Sequence, residues 1–149
     1  MDYLIKIILF ALLTMTQAFA AEYGTAKEAE ALVGKAAKHI KEVGKDKACA
    51  EFTAKKGWID RDLYVMVYDL NGKVLAHGQN EKQVGMDMLA FKDPTGKEFI
   101  KERMELAKNK PKFWQEYQFT DPITKSIKPK SVYCERHDEI VVCSGIYKR

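Results

Sequence analysis

Residues 62–77 read D-L-Y-V-M-V-Y-D-L-N-G-K-V-L-A-H, and the fold turns on this stretch. Leu63 to Tyr68 is an unbroken apolar and aromatic run rich in strand-forming residues. Asn71-Gly72 is a strong hairpin signal, and Val74 to His77 supplies a return strand. Side chains alternate along a strand, so Leu63, Val65 and Val67 point one way while Tyr64, Met66 and Tyr68 point the other. With both faces apolar, the strand belongs in a sheet covered on both sides.

The chain around it has 149 residues, enough for one domain with a core and hardly for two. The net charge of +4 is spread among alternating Lys, Glu and Asp with no dense basic run, which argues against nucleic acid as a partner. Residues 1–20 read as a signal peptide. Lys6 precedes the apolar run Ile7 to Leu13, and Ala18-Phe19-Ala20 fits an A-x-A cleavage site. The run is shorter than the roughly 20 apolar residues that span a bilayer. The expected mature protein is therefore a single domain over 21–149, starting near Ala21, periplasmic or secreted, with no remaining transmembrane segment.

Toward the N-terminus, Thr25 and Glu28 have capping-box spacing. Ala29, Leu32, Val33, Ala36, Ile40 and Val43 then recur at helical spacing as far as Gly44. Asp46 is expected to cap a shorter helix carrying Cys49 and Phe52 inward, closed by Gly57. His39, one position off the apolar stripe, reads as solvated. Downstream of the hairpin, Gly85 suggests a tight turn whose freed amides could hold an anion. Asp93-Pro94-Thr95-Gly96 breaks the chain, and Phe99, Ile100, Met104 and Ala107 mark a third helix with Lys101, Glu102 and Glu105 outward. Phe113 to Phe119 reads as a strand with Phe113, Gln115, Tyr117 and Phe119 on one face and Trp114, Glu116 and Gln118 on the other. Ser131 to Arg136 and Ile140 to Tyr147 are two more strands around a turn at Asp138-Glu139. The result is an α+β domain, with a long N-terminal helix packed on a central antiparallel sheet of about five strands.

If Asp138 and Glu139 form the turn, Cys134 stands directly opposite Cys143 at a closely spaced, non-hydrogen-bonded position. In an oxidising compartment this predicts a disulfide, which would stabilise the fold by roughly 2–3 kcal/mol on the loop-entropy account. Cys49 is left over as a buried thiol. Three His and three Cys are scattered without ligand spacing, so no metal or other cofactor is expected. No nucleophile elbow or phosphate loop is present, and nothing reads as catalytic.

Binding is better supported. His77, Trp114, Tyr117, Lys130 and Tyr133 come from separate strands or strand ends, and Tyr64 of the central strand joins them as a candidate ligand-binding residue. A cation, a histidine and an aromatic wall suit a small carboxylate. Spacing alone leaves open a second reading, in which the aromatic residues are core and Lys130 is solvated.

Several motifs in order carry a resemblance. The central stretch is followed by V-G-M-D-M, K-D-P-T-G-K-E-F-I, W-Q-E-Y, D-P-I-T, K-P-K-S-V-Y and S-G-I-Y. Over nearly the whole mature chain this resembles the single Cache domain, type 2. The resemblance implies a PAS-like α+β fold, with a long helix behind an antiparallel sheet whose other face holds a ligand. It implies an extracytoplasmic sensor domain of the kind found in bacterial chemoreceptors and histidine kinases, taking small organic acids such as acetate, propionate or pyruvate. By the same resemblance His77, the W-x-x-Y residues and the P-K-S-V-Y residues become pocket positions. Family members often carry Pro after the histidine; here Gly78 stands there and is expected to loosen the following loop. No second transmembrane helix or signalling domain follows the domain, so the expectation is a free-standing periplasmic form. It would report to a membrane-bound receptor or kinase, or serve as an interaction module regulating one through its surface, with a vestigial pocket.

Overall fold

The computed structural model describes residues 22–149; the expected signal peptide lies outside them. Helix α1 (Ala26–Val43) opens on the expected capping box, in which Thr25 Oγ1 accepts from the Glu28 amide and Glu28 accepts from the Thr25 amide. Helix α2 (Lys45–Thr53) follows at once. Its N-cap is Gly44, with no side-chain hydrogen bond, and Asp46 sits inside the first turn, where its charge suits the helix dipole. The helix ends at Thr53, before Gly57, because residues 54–57 run on as turns.

Strands β1 (Met66–Asp69) and β2 (Val74–His77) form the central hairpin. Regular pairing starts at Met66, since Asp60 and Leu63 are paired to each other across a tight turn. Helix α3 (Phe99–Asn109) leads into β3 (Lys112–Thr120), β4 (Ile127–His137) and β5 (Ile140–Tyr147). Strand β4 is longer than its apolar run, and Pro129 is tolerated because it lies beyond the last β5 pair, Lys130 with Tyr147. All neighbours in the five-stranded sheet are antiparallel, in the order β2-β1-β5-β4-β3. This is the expected α+β architecture.

The sheet divides two cores. Val65, Val67, Ala76, Tyr133 and Val142 pack under Val33, Ala36, Ala48, Phe52 and Trp58 from the first two helices and the segment after them. Tyr64, Met66, Tyr68, Tyr117 and Val132 pack on the other side with Met88, Phe99, Ile100 and Met104. Alternation in the central strand therefore reads correctly on both faces. His39 is not simply solvated: its ring lies 5.0 Å from Trp58, and Nε2 is 2.5 Å from Glu51 Oε2. Cys134 and Cys143 are paired in the expected register, Cα atoms 4.2 Å apart, and joined by a disulfide. Cys49 is a buried free thiol.

Three carboxylates tie this frame together. Asp62 accepts from the Gly24 amide at 2.7 Å and from Arg149, and Arg149 also pairs with Asp121 beyond β3. Asp93 Oδ1 accepts from the amides of Thr95 and Lys97, while Oδ2 accepts from the Gln118 amide, so the D-P-T-G loop is pinned to β3. Among the described residues no helix is long and apolar enough to cross a membrane.

Candidate functional site

The face of the sheet away from α1 and α2 buries three basic side chains, His77, Lys130 and Arg103, at 2%, 0% and 0% exposure. His77 ends β2, and its ring is held by the chain that follows it. Nδ1 accepts from the amides of Gln79 at 3.2 Å and Asn80 at 3.0 Å, which leaves Nε2–H as the ring's donor. Burial, then the charges of Lys130 and Arg103, push its pKa down to about 3. His77 is therefore neutral at physiological pH, and the expected anion does not meet an imidazolium here.

Gly78 matters for the same ring. Its amide donates to Val65 O at 3.0 Å, a bond that proline could not make. A Cβ at Gly78 would come within 2.9 Å of Tyr64 Cβ. Glycine at this position thus fastens the end of β2 to the central strand rather than loosening it, with the His77 and Tyr64 rings 5.1 Å apart.

Lys130 reaches this face from β4. Its Nζ donates to Tyr64 OH at 2.6 Å and lies 4.3, 5.1 and 5.4 Å from the ring centres of Tyr64, Tyr147 and Phe119. Rings of this kind attract a cation through their faces. Burial and then the charge of Arg103 nevertheless hold the Lys130 ammonium well below its ordinary pKa. Asp62 and Asp121 oppose this from a distance, but both are engaged by Arg149. Tyr147 OH, 3.4 Å from Tyr64 OH, donates to Thr120 O.

Arg103 is a site residue that the sequence reading missed. It lies on the apolar stripe of α3, between Phe99, Ile100, Met104 and Ala107. A charge on a buried stripe was the available signal. Its Nε donates to Gln115 Oε1 at 3.0 Å, and Gln115 Nε2 is itself spent on Phe99 O at 2.7 Å and Glu102 Oε1 at 3.2 Å. Both Nη atoms are buried without a well-formed hydrogen bond among the described residues, although the Tyr68 and Tyr117 hydroxyls lie near enough to favour the guanidinium charge. The guanidinium carbon lies 5.0, 5.2 and 5.8 Å from the ring centres of Tyr68, Tyr117 and Phe99. Tyr117 is stacked on Phe99 at 4.2 Å, and burial raises its hydroxyl to about 12.

Of the six residues singled out in the sequence, the structure thus brings together Tyr64, His77, Tyr117 and Lys130, and sets Trp114 and Tyr133 apart. Trp114 and Tyr133 are cross-strand partners on the opposite face, rings 5.4 Å apart, with Tyr133 in the core beneath the helices. Strand parity requires this: Trp114 is an odd number of residues from Tyr117, and Tyr133 from Lys130. The turn at Gly85 also offers no anion site, because its amide donates to Val74 O at 2.8 Å. Among the described residues no group of three His, Cys, Asp or Glu side chains is placed to hold a metal.

The cluster is sealed. A hollow of about 470 Å³ beside α2 is lined by Cys49, Thr53, Leu75 and Glu81 and does not involve these side chains. A second, of about 290 Å³, is bordered by Phe91, Pro94, Ile127 and Phe119, whose ring also faces Lys130. Chemically, the arrangement offers buried hydrogen-bond donors and the Arg103 charge in low-dielectric surroundings. That suits holding an anion.

Comparison with known proteins agrees with the fold. The Single Cache domain 2 family matches residues 2–148. A methyl-accepting chemotaxis protein from Vibrio parahaemolyticus is similar at 22% identity and a TM-score of 0.70, over 81% of this chain and 86% of that one. A Cache chemosensory domain whose structure concerns carboxylic acid recognition has 21% identity and a TM-score of 0.71, over 83% and 92%. The periplasmic sensor domain of a chemotaxis protein has 24% identity and a TM-score of 0.65, over 83% and 90%. No curated protein matches the chain.

Proposed function

The chain belongs to the single Cache domain 2 family, and on that premise we propose that it is a periplasmic or secreted sensor-type domain that binds a short organic acid and does not transform it. The observation that carries this reading is Lys130, fully buried with a neutral tyrosine hydroxyl as its hydrogen-bond partner and no ion pair among the described residues. Burying such a group is costly unless something of opposite charge joins it. An arriving carboxylate supplies that counter-charge and restores the ammonium. His77 Nε2–H is the second donor, Tyr64 orients Lys130, and Tyr117 with Phe119 walls off the short apolar part of the ligand. Recognition of a carboxylic acid by the similar chemosensory domain supports the same chemistry. The bound state would be read by a membrane-bound receptor or kinase.

The sealing of the cluster favours a second reading, an interaction module whose pocket is vestigial. Thermal unfolding with a panel of C2 to C4 acids separates the two. A ligand that binds only the folded state raises stability with its concentration, by about 2.7 kcal/mol at a hundredfold excess over Kd. A melting temperature indifferent to every acid would favour the interaction module.

A further inference from the structure

Besides the neutral His77, the cluster holds two basic groups without acidic partners among the described residues, and the second one specifies the ligand further. We infer that the ligand is a short dicarboxylate, one carboxylate on the Arg103 fork and the other on Lys130. This rests on the organic-acid reading above and adds the second charge to it.

Arg103 supplies the first of the two positions. A guanidinium is charged at every accessible pH and presents its donors as a planar fork that fits a carboxylate with two parallel hydrogen bonds. Here Gln115 occupies Nε and is fixed in turn by Phe99 O and Glu102, which sets the plane of the fork. The remaining donors, on Nη1 and Nη2, are buried with no well-formed hydrogen bond and no acidic partner among the described residues, only the neutral hydroxyls of Tyr68 and Tyr117 nearby. Buried polar groups in folded proteins are nearly always satisfied, and a fully buried guanidinium most of all needs a partner.

Lys130 stands in the same aromatic chamber. Its cross-strand partner is Tyr117, over which the Arg103 carbon lies at 5.2 Å. The Phe119 ring, 5.4 Å from Lys130 Nζ, is 5.8 Å from the Tyr117 ring and 6.2 Å from that of Phe99. Neither group has an ion pair among the described residues, and no acidic side chain there makes direct contact with either. A monocarboxylate would occupy one of them and leave the other buried without an acidic partner. A ligand with a carboxylate at each end answers both.

The test is calorimetric titration of the protein with acids matched in carbon number, succinate against butyrate and malonate against propionate. Wild type should bind the better dicarboxylate at least about tenfold more tightly than its monocarboxylate match. Arg103→Met should abolish that preference while leaving monocarboxylate affinity within a few-fold, and Arg103→Lys should restore part of it. If Arg103→Met does not fold, the matched pairs on wild type and Gln115→Leu, which frees the fork to turn, still decide. Succinate should weaken in Gln115→Leu and butyrate should not. Equal affinity for the matched acids in wild type would overturn the dicarboxylate and leave the organic-acid reading standing. Inorganic phosphate binding as tightly as either dicarboxylate would overturn a two-headed site. Binding of no acid at all would bring down both readings together.

Discussion

On the face turned toward α1 and α2, the polar side chains buried by the strands are satisfied by one another. Tyr133 OH donates to Glu135 Oε1 at 2.7 Å, and Glu135 Oε2 takes His137 at 2.9 Å; the Ser144 hydroxyl is the exception. On the opposite face the same strands, with α3, bury Lys130 against a tyrosine hydroxyl and Arg103 with two donor atoms unpartnered. Both faces obey one alternation. What separates them is that on the second face the buried groups lacking a counter-charge are ionisable ones, Lys130 and Arg103. An answered group contributes to the frame, and an unanswered one is a place where a ligand improves the free energy of the whole.

Acid should expose this difference most. His77 titrates near 3 when folded and near 6.5 when unfolded. Below pH 6.5 the unfolded chain takes up a proton that the native state refuses, so the stability conferred by the neutral ring is complete above pH 6.5 and is lost as pH falls toward 3. His77→Gln should lack this term. Between pH 6.5 and 3, wild type should lose more stability than the variant, by on the order of a few kcal/mol. Denaturant titrations across that range check it, and parallel profiles for the two proteins would show that the ring is not the isolated neutral group described. Ligand affinity at Lys130 should not follow an imidazole titration near pH 6.5.

The disulfide belongs to the frame on the unsatisfied side. Replacing Cys134 and Cys143 by alanine should lower stability by about 2–3 kcal/mol, seen as an earlier denaturation midpoint with the sheet retained. A midpoint unmoved by the double replacement or by reductant would mean that the β4–β5 ladder needs no covalent tie. Trp114→Ala should cost roughly 1–2 kcal/mol, less than the 3–5 of a fully buried Trp, because the residue is 37% exposed on the helix-side face.

Much of the frame was legible because its signals are local. The Thr25–Glu28 capping box, the hairpin at Asn71-Gly72 and the Cys134–Cys143 register each follow from a few neighbouring residues. The site was legible only in part. Alternation shows which residues share a face, and it had already separated Trp114 from Tyr117; with both faces apolar, it does not show which one is covered by helices and which by loops. Grouping Trp114 and Tyr133 with Lys130 ignored that parity. Arg103 interrupts the apolar stripe of α3, and a stripe traced by its hydrophobic positions alone does not register a charge among them. The neutrality of His77 depends on amides contributed by Gln79 and Asn80 in an irregular turn, which no periodicity describes.

The most direct test of the account compares the two faces in one experiment. The acid that most raises the melting temperature should be titrated calorimetrically into wild type, Lys130→Met and Trp114→Ala. Losing a charge-assisted hydrogen bond in a desolvated site costs about 1.5–3 kcal/mol, so Lys130→Met should bind about 10- to 100-fold more weakly. Trp114→Ala, on the satisfied face, should bind like wild type despite its lower stability. Unchanged affinity in Lys130→Met, or an equal loss in Trp114→Ala, would contradict the assignment of the ligand to the unsatisfied face.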